Sequence, residues 1–103
     1  MKKYIDEPIF EAKAFNLSKQ EKDLSTKARK LGNKKFSARA FEYDDEARFP
    51  VENYKDLHEE GFLGICIPKK QGGLGAGFRG YALAAAEIGR YCGATALTWN
   101  MHV

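Results

Sequence analysis

Cysteine, proline and long apolar runs are all scarce in this sequence, and each scarcity excludes something. Its 103 residues make one domain at most, and a chain of that size buries only about 60–65% of its unfolded surface. Two cysteines, Cys66 and Cys92, do not make a disulfide framework. Each stands among apolar neighbours and reads as a small buried hydrophobe, with no second Cys or His at metal-ligand spacing. No apolar stretch approaches the ~18 residues that cross a bilayer, so no integral membrane segment is expected. Met1-Lys2-Lys3 runs into acids and Pro8 instead of an apolar core; that excludes a secretory signal and makes the expected location cytoplasmic. The basic excess is small too, 17 against 14 acids for a net +3. A nucleic-acid module carries a stronger, one-faced excess, so no nucleic-acid partner is expected.

What is present is enough for a core: 44% hydrophobic and 13% aromatic residues rule out a disordered tail. Residues 1–50 hold 12 basic and 9 acidic groups, residues 51–103 five of each. The basic run from Lys19 to Lys35 and the acids Glu42 to Glu46 read as solvated helix faces.

Residues 1–16 show no clean period and read as an N-terminal arm. Ser18-Lys19-Gln20-Glu21 matches a capping box, and Leu24, Ala28 and Leu31 follow on one helical face. Gly32-Asn33 interrupts the stripe, and Phe36 and Phe41 lie well round the helix from it. One long helix with a kink or change of partner is predicted, ending at Arg48-Phe49-Pro50. Pro50 suits a first helical turn, so a short helix is expected with Val51, Tyr54 and Leu57 inward and His58 at the edge of that face. It closes at Gly61, where a left-handed cap fits. Residues 62–67 form a short irregular or extended segment.

Gly-rich residues 71–77 make a loop. Phe78, Tyr81, Ala82, Ala85, Ile88, Gly89 and Cys92 then fall at helical spacing, and Ala84-Ala85-Ala86 lets a neighbouring helix approach closely. Ala94 to Val103 reads as a further helix without glycine, cap or basic last turn. The chain therefore reads as the front end of a longer protein, with a domain over 17–103 truncated at its C-terminal end.

Several chemical signals reduce to simpler roles. Gly75-Ala76-Gly77-Phe78-Arg79-Gly80 has the spacing of a dinucleotide fingerprint. It does not open from a strand, however, and no acid follows Glu87 to meet a ribose; the glycines serve turns. His58 and His102 have no metal-spaced partners, so no metal site is expected. Ser18, Ser25 and Ser37 read as caps or helix-surface groups, and Trp99 as core. Glu87 is read as a helix-surface ion pair with Arg79, Arg90 or another domain rather than a base. No catalytic residue is assigned within this chain.

The order of features says more than any one of them. Arg48-Phe49-Pro50 precedes Leu57 to Ile65 ("L-x-x-x-G-F-x-G-I"). Ile67 to Gly75 ("I-P-x-x-x-G-G-L-G") comes next, then Ala84 to Arg90 ("A-x-x-E-I-G-R"). In kind, order and spacing this resembles the N-terminal helical domain of the acyl-CoA dehydrogenase family. The resemblance implies an all-α domain belonging to an FAD-dependent enzyme that desaturates an acyl-CoA thioester between Cα and Cβ. It implies that middle and C-terminal domains hold most of the FAD, that a glutamate base lies beyond Val103, and that the isolated chain is inactive. It further implies a homo-oligomer, with electron-transfer flavoprotein as a possible acceptor.

On this resemblance Leu97, Thr98, Met101 and His102 fall on the helix that lines the acyl-chain tunnel, with ordinary inter-helix packing as the competing reading. The spacing of 97, 98 and 101 puts them on one face. His102 departs from the small or apolar residue usual there, and Lys69-Lys70-Gln71 from the usual acidic form of that loop. Two other functions remain in view, a flavin-dependent monooxygenase of the same fold and a helical interaction module without chemistry. A gene continuing to a glutamate base separates the first from desaturation.

Overall fold

The computed structural model describes residues 7–103. Among them the chain is helical, without strands. A single turn, α1 (Ala12–Phe15), ends at Asn16 in the left-handed region, φ 51°. The capping box then forms: Glu21 N–H donates to Ser18 Oγ at 3.1 Å and Ser18 N–H to Glu21 Oε1 at 2.9 Å, so two otherwise orphaned amides are satisfied at the start of α2 (Lys19–Leu31). Leu24, Ala28 and Leu31 are buried, as their spacing predicts, and Ser25 joins them rather than facing solvent.

The predicted interruption is a π-helical turn, Gly32–Phe36, which carries α2 directly into α3 (Ser37–Glu46). A π turn inserts one residue. A straight stripe from Leu24, Ala28 and Leu31 would continue to positions 35, 38 and 42, yet Phe36 and Tyr43 are the buried residues. Gly32 occupies the joint because the Tyr91 ring lies against it; a Cβ there would stand 1.9 Å from Tyr91 Cδ2.

Pro50 is buried and opens α4 (Val51–Glu59), and Gly61 closes it at φ 82°. The inward face differs from the expected one. Asn53, Asp56 and Leu57 are buried, whereas Val51 and His58 are exposed and Tyr54 is half-buried. The apolar run is not extended: it makes a 3₁₀ turn, Phe62–Gly64, and a second such turn follows at Lys69–Gln71. Cys66 is exposed here, contrary to expectation, while Cys92 is buried.

The glycine loop folds back on this segment, with Leu74, Gly75 and Ala76 N–H donating to the carbonyls of Gly64, Ile67 and Ile65 at 3.1, 2.8 and 2.9 Å. Gly73 is required by the close approach, since a Cβ would stand 2.1 Å from Ile67 O.

Helix α5 (Phe78–Gly89) lies against α2 and leads into α6 (Gly93–His102). Its buried face is Gly80, Leu83, Ala84, Glu87 and Ile88, rotated from the expected one, and Phe78 is exposed. The core runs between α2 and α5 to Trp99 of α6, which packs on Phe62 and Tyr81 with ring centroids 6.1 and 5.3 Å apart. Ala28 and Ala84 are both fully buried in it, small residues where two helices meet.

Candidate functional site

Helix α6 has two faces of opposite character. Its inner stripe places one hydrogen-bonding side chain on each turn. Thr95 Oγ1 accepts from Asn53 Nδ2 at 2.8 Å and donates to Cys92 Sγ at 3.2 Å. Trp99 Nε1 donates to Phe62 O at 3.0 Å. His102 Nε2 lies 3.0 Å from Leu63 O, and because a carbonyl only accepts, Nε2 carries the proton. Asn53 is itself held from α3, its Oδ1 accepting from Arg39 Nη1 at 2.6 Å, while Arg39 pairs with Asp56 at 2.8 Å. Burial opposes ionised Arg39, but the Asp56 hydrogen bond and charge leave its pKa raised.

The outer face is apolar and uncovered in this chain. Leu97 is 62% and Met101 78% exposed, one turn apart. Thr98 is half-buried beside them, its hydroxyl spent on Ala94 O at 3.0 Å and Thr95 O at 3.2 Å. The four residues singled out from the sequence therefore divide. Leu97, Thr98 and Met101 share the outer face, and His102 sits at its edge, tied inward. Beside His102 the Tyr54 ring meets the imidazole edge-on at 6.4 Å, and Phe49 packs on Tyr54 at 5.0 Å.

Sequence reasoning missed Asn53 and Thr95, two polar residues buried against each other 42 positions apart. Only their places on helical faces hinted at it.

Glu87 is not on the surface. It is 1% exposed, its Oε2 accepting from Ile9 N–H at 3.0 Å while Arg90 and Arg29 lie 3.0 and 3.5 Å away. Arg90 also donates to Glu7 O. A carboxyl group enclosed by two guanidinium groups and a backbone amide is kept away from any open cleft, and it serves as a knot between the segment before α1, α2 and α5. The expected Arg90 partner is present. Arg79 instead grips Glu21 through two bonds, 2.7 and 3.0 Å, and the carbonyls of Phe15 and Asn16 at 3.3 Å each. The Arg79 hydrogen bond is the main reason the Glu21 carboxyl is lowered to about 2.

The acidic run is also organised: Arg48 pairs with Glu42, Glu46 and Glu52 at 2.6, 3.1 and 3.0 Å and lies over the Tyr43 ring. Tyr43 O–H donates to Glu52 at 2.8 Å, which, with Arg48, takes the Glu52 carboxyl down to about 2.

The glycine loop spends the amides of Leu74, Gly75 and Ala76 on the carbonyls of 64, 67 and 65, and among the described residues no strand leads into it, so it lacks the strand–turn–helix setting of a dinucleotide fingerprint. Among the described residues no group of three or more His, Cys, Asp or Glu could hold a metal ion, and no helix is long and apolar enough to cross a membrane.

Comparison with known proteins gives a consistent picture. The model of the acyl-CoA dehydrogenase N-terminal domain matches residues 18–103. The chain is 32% identical to a probable acyl-CoA dehydrogenase, YngJ, of Bacillus subtilis over 82% of its own length and 22% of that protein's. It is 31% identical to a short-chain-specific acyl-CoA dehydrogenase of Clostridium acetobutylicum, covering 85% of this chain and 23% of the relative. An acryloyl-CoA reductase (NADH) of Anaerotignum propionicum is 36% identical over 86% and 23% of the two chains. The chain thus spans less than a quarter of the length of these curated relatives. No solved structure matches it.

Proposed function

From the premise that this chain belongs to the acyl-CoA dehydrogenase family, as its N-terminal domain, we propose that it forms one wall of the acyl-binding slot in an FAD-dependent enzyme that desaturates an acyl-CoA thioester. Leu97, Thr98 and Met101 are the wall, with His102 at its edge. The supporting observation is the contrast across α6: three hydrogen-bonded side chains fix its inner face, which leaves Leu97 and Met101 held rigidly outward and uncovered. A rigid apolar face suits a narrow, dry slot, in which exclusion of water sharpens every electrostatic interaction with the reacting thioester.

The relatives named above act on acyl-CoA substrates by their names but differ in reaction, dehydrogenation in two and reduction in one. What they share is the CoA thioester, and that is the part of the reading that rests on them.

The residues of this domain do not by themselves fit FAD. Three of their clefts, of 190, 220 and 180 Å³, fall below a ligand pocket of about 300–1,000 Å³, and a fourth of 340 Å³, at the bottom of that range, is lined mostly by the charged side chains of Lys19, Asp23, Lys27 and Lys69. The flavin, which takes up hydride in this chemistry, is assigned to parts of the enzyme outside this domain. So is the base, since Glu87 is locked in its knot. Cytoplasmic location, homo-oligomerisation and electron-transfer flavoprotein as acceptor complete the reading.

The test is substrate length in the whole flavin-loaded enzyme. Leu97→Trp fills the slot, and kcat/KM for the longest accepted acyl-CoA is expected to fall by the equivalent of ~1–3 kcal/mol per displaced methylene, while shorter thioesters are less affected. An unchanged chain-length profile removes α6 from the slot.

A further inference from the structure

Where α4 passes the end of α6, the apolar outer face turns polar. Phe49, Tyr54 and His102 gather there, with Tyr54 packed between the other two rings at 5.0 and 6.4 Å. His102 spends Nε2–H on Leu63 O. Its second ring nitrogen, Nδ1, and the Tyr54 hydroxyl have no partner among the described residues. His102 stands one turn beyond Thr98 and so borders the Leu97–Thr98–Met101 wall, with the Tyr54 ring packed edge-on beside it.

With Nε2 protonated, a neutral imidazole presents Nδ1 as an acceptor, and the phenol beside it can donate or accept. Inside a slot closed to water, both groups would lose hydration and gain nothing from a hydrocarbon terminus. A site with unpaired polar groups discriminates far more strongly than an apolar pocket of the same size. A hydroxyl would donate to Nδ1 and accept from Tyr54; a carboxylate would accept from Tyr54 O–H and from the protonated imidazole.

Resting on the reading that α6 walls the acyl slot, we propose that Tyr54 and His102 read the far end of the acyl group and select one bearing an oxygen function, hydroxyl or carboxylate, over plain alkyl.

The experiment compares kcat/KM of the whole flavin-loaded enzyme for hexanoyl-CoA, ω-hydroxyhexanoyl-CoA and adipoyl-CoA. At least one oxygenated thioester is expected to exceed hexanoyl-CoA by about tenfold or more, and which one does identifies the group read. Tyr54→Phe, which keeps the ring packing, is expected to cut that preference by about tenfold, and His102→Leu to do the same. Equal or better use of hexanoyl-CoA by the unaltered enzyme overturns the proposal. So does a preference unchanged within about twofold in both variants. If Leu97→Trp leaves the chain-length profile intact, the acyl-wall reading fails and this proposal with it, a result distinct from failure at Tyr54 and His102 alone.

Discussion

Two buried polar knots hold this domain, and they are built differently. One is ionic: Glu87 between Arg29, Arg90 and the Ile9 amide ties the segment before α1 to α2 and α5. The other is mainly neutral: Asn53 and Thr95 join α4 to α6, with Arg39 and Asp56 at the rim. Both replace apolar packing with directional bonds between residues far apart in sequence. The ionic knot is the more dangerous to cut, because removing one partner leaves charges enclosed with no counter-ion, whereas cutting the neutral one leaves only unpaired hydrogen-bonding groups.

The largest expected effect follows from that asymmetry. Glu87→Ala leaves Arg29 and Arg90 facing each other in a mostly dry pocket and is expected to cost about 3–5 kcal/mol, read as a drop in the urea midpoint at unchanged slope. Asn53→Ala is expected to cost less, about 1–3 kcal/mol. It should also loosen α6, seen as faster amide hydrogen exchange along that helix than along α2. Equal losses in the two variants would mean that charge is not what separates the knots.

The smallest effect is expected at the exposed clusters. Glu21 and Glu52 have carboxyls lowered to about 2 from an ordinary value of 4.5. A depressed carboxyl binds fewer protons folded than unfolded, so its stabilisation is present above the unfolded value and fades as pH falls from about 4.5 towards 2. Acid titration of stability should therefore steepen in that window, and Glu21→Gln should flatten it. Glu52 is exposed and Glu21 only half-buried, so salt is expected to shrink the difference, most at Glu52, in contrast to the Glu87 knot.

The sequence reading succeeded where structure is local. The Ser18–Glu21 box, Pro50 at the head of α4, left-handed Gly61 and the Leu24–Ala28–Leu31 stripe depend on neighbours within a few residues, and all are found as expected. It failed in phase. The interruption at Gly32-Asn33 was legible, but its form was not: the π turn at Gly32–Phe36 moves the buried positions on by one residue, and the Tyr91 ring that excludes a side chain at Gly32 comes from about sixty positions downstream. The face of α5 was misplaced for a related reason. Glu87 looks like a surface residue until Arg29 and the Ile9 amide arrive to neutralise it, and Phe78 looks like core until the helix turns the other way. At the candidate site, the common face of Leu97, Thr98 and Met101 could be read from helical spacing, but His102's bond to Leu63 could not.

Caps, turns and periodicity were thus enough to establish where the main helices start and stop, and the order of four motifs carried the resemblance to an all-helical domain family that the comparisons bear out. Tertiary structure decided which side of each helix faces inward, which charges are buried, and which side chains remain free to meet a ligand. The physical reason is range. Caps, turns and stripes are set by bonds within about one helical turn, whereas the cost of burying a charge or a hydrogen-bonding group depends on a partner that only folding brings to it.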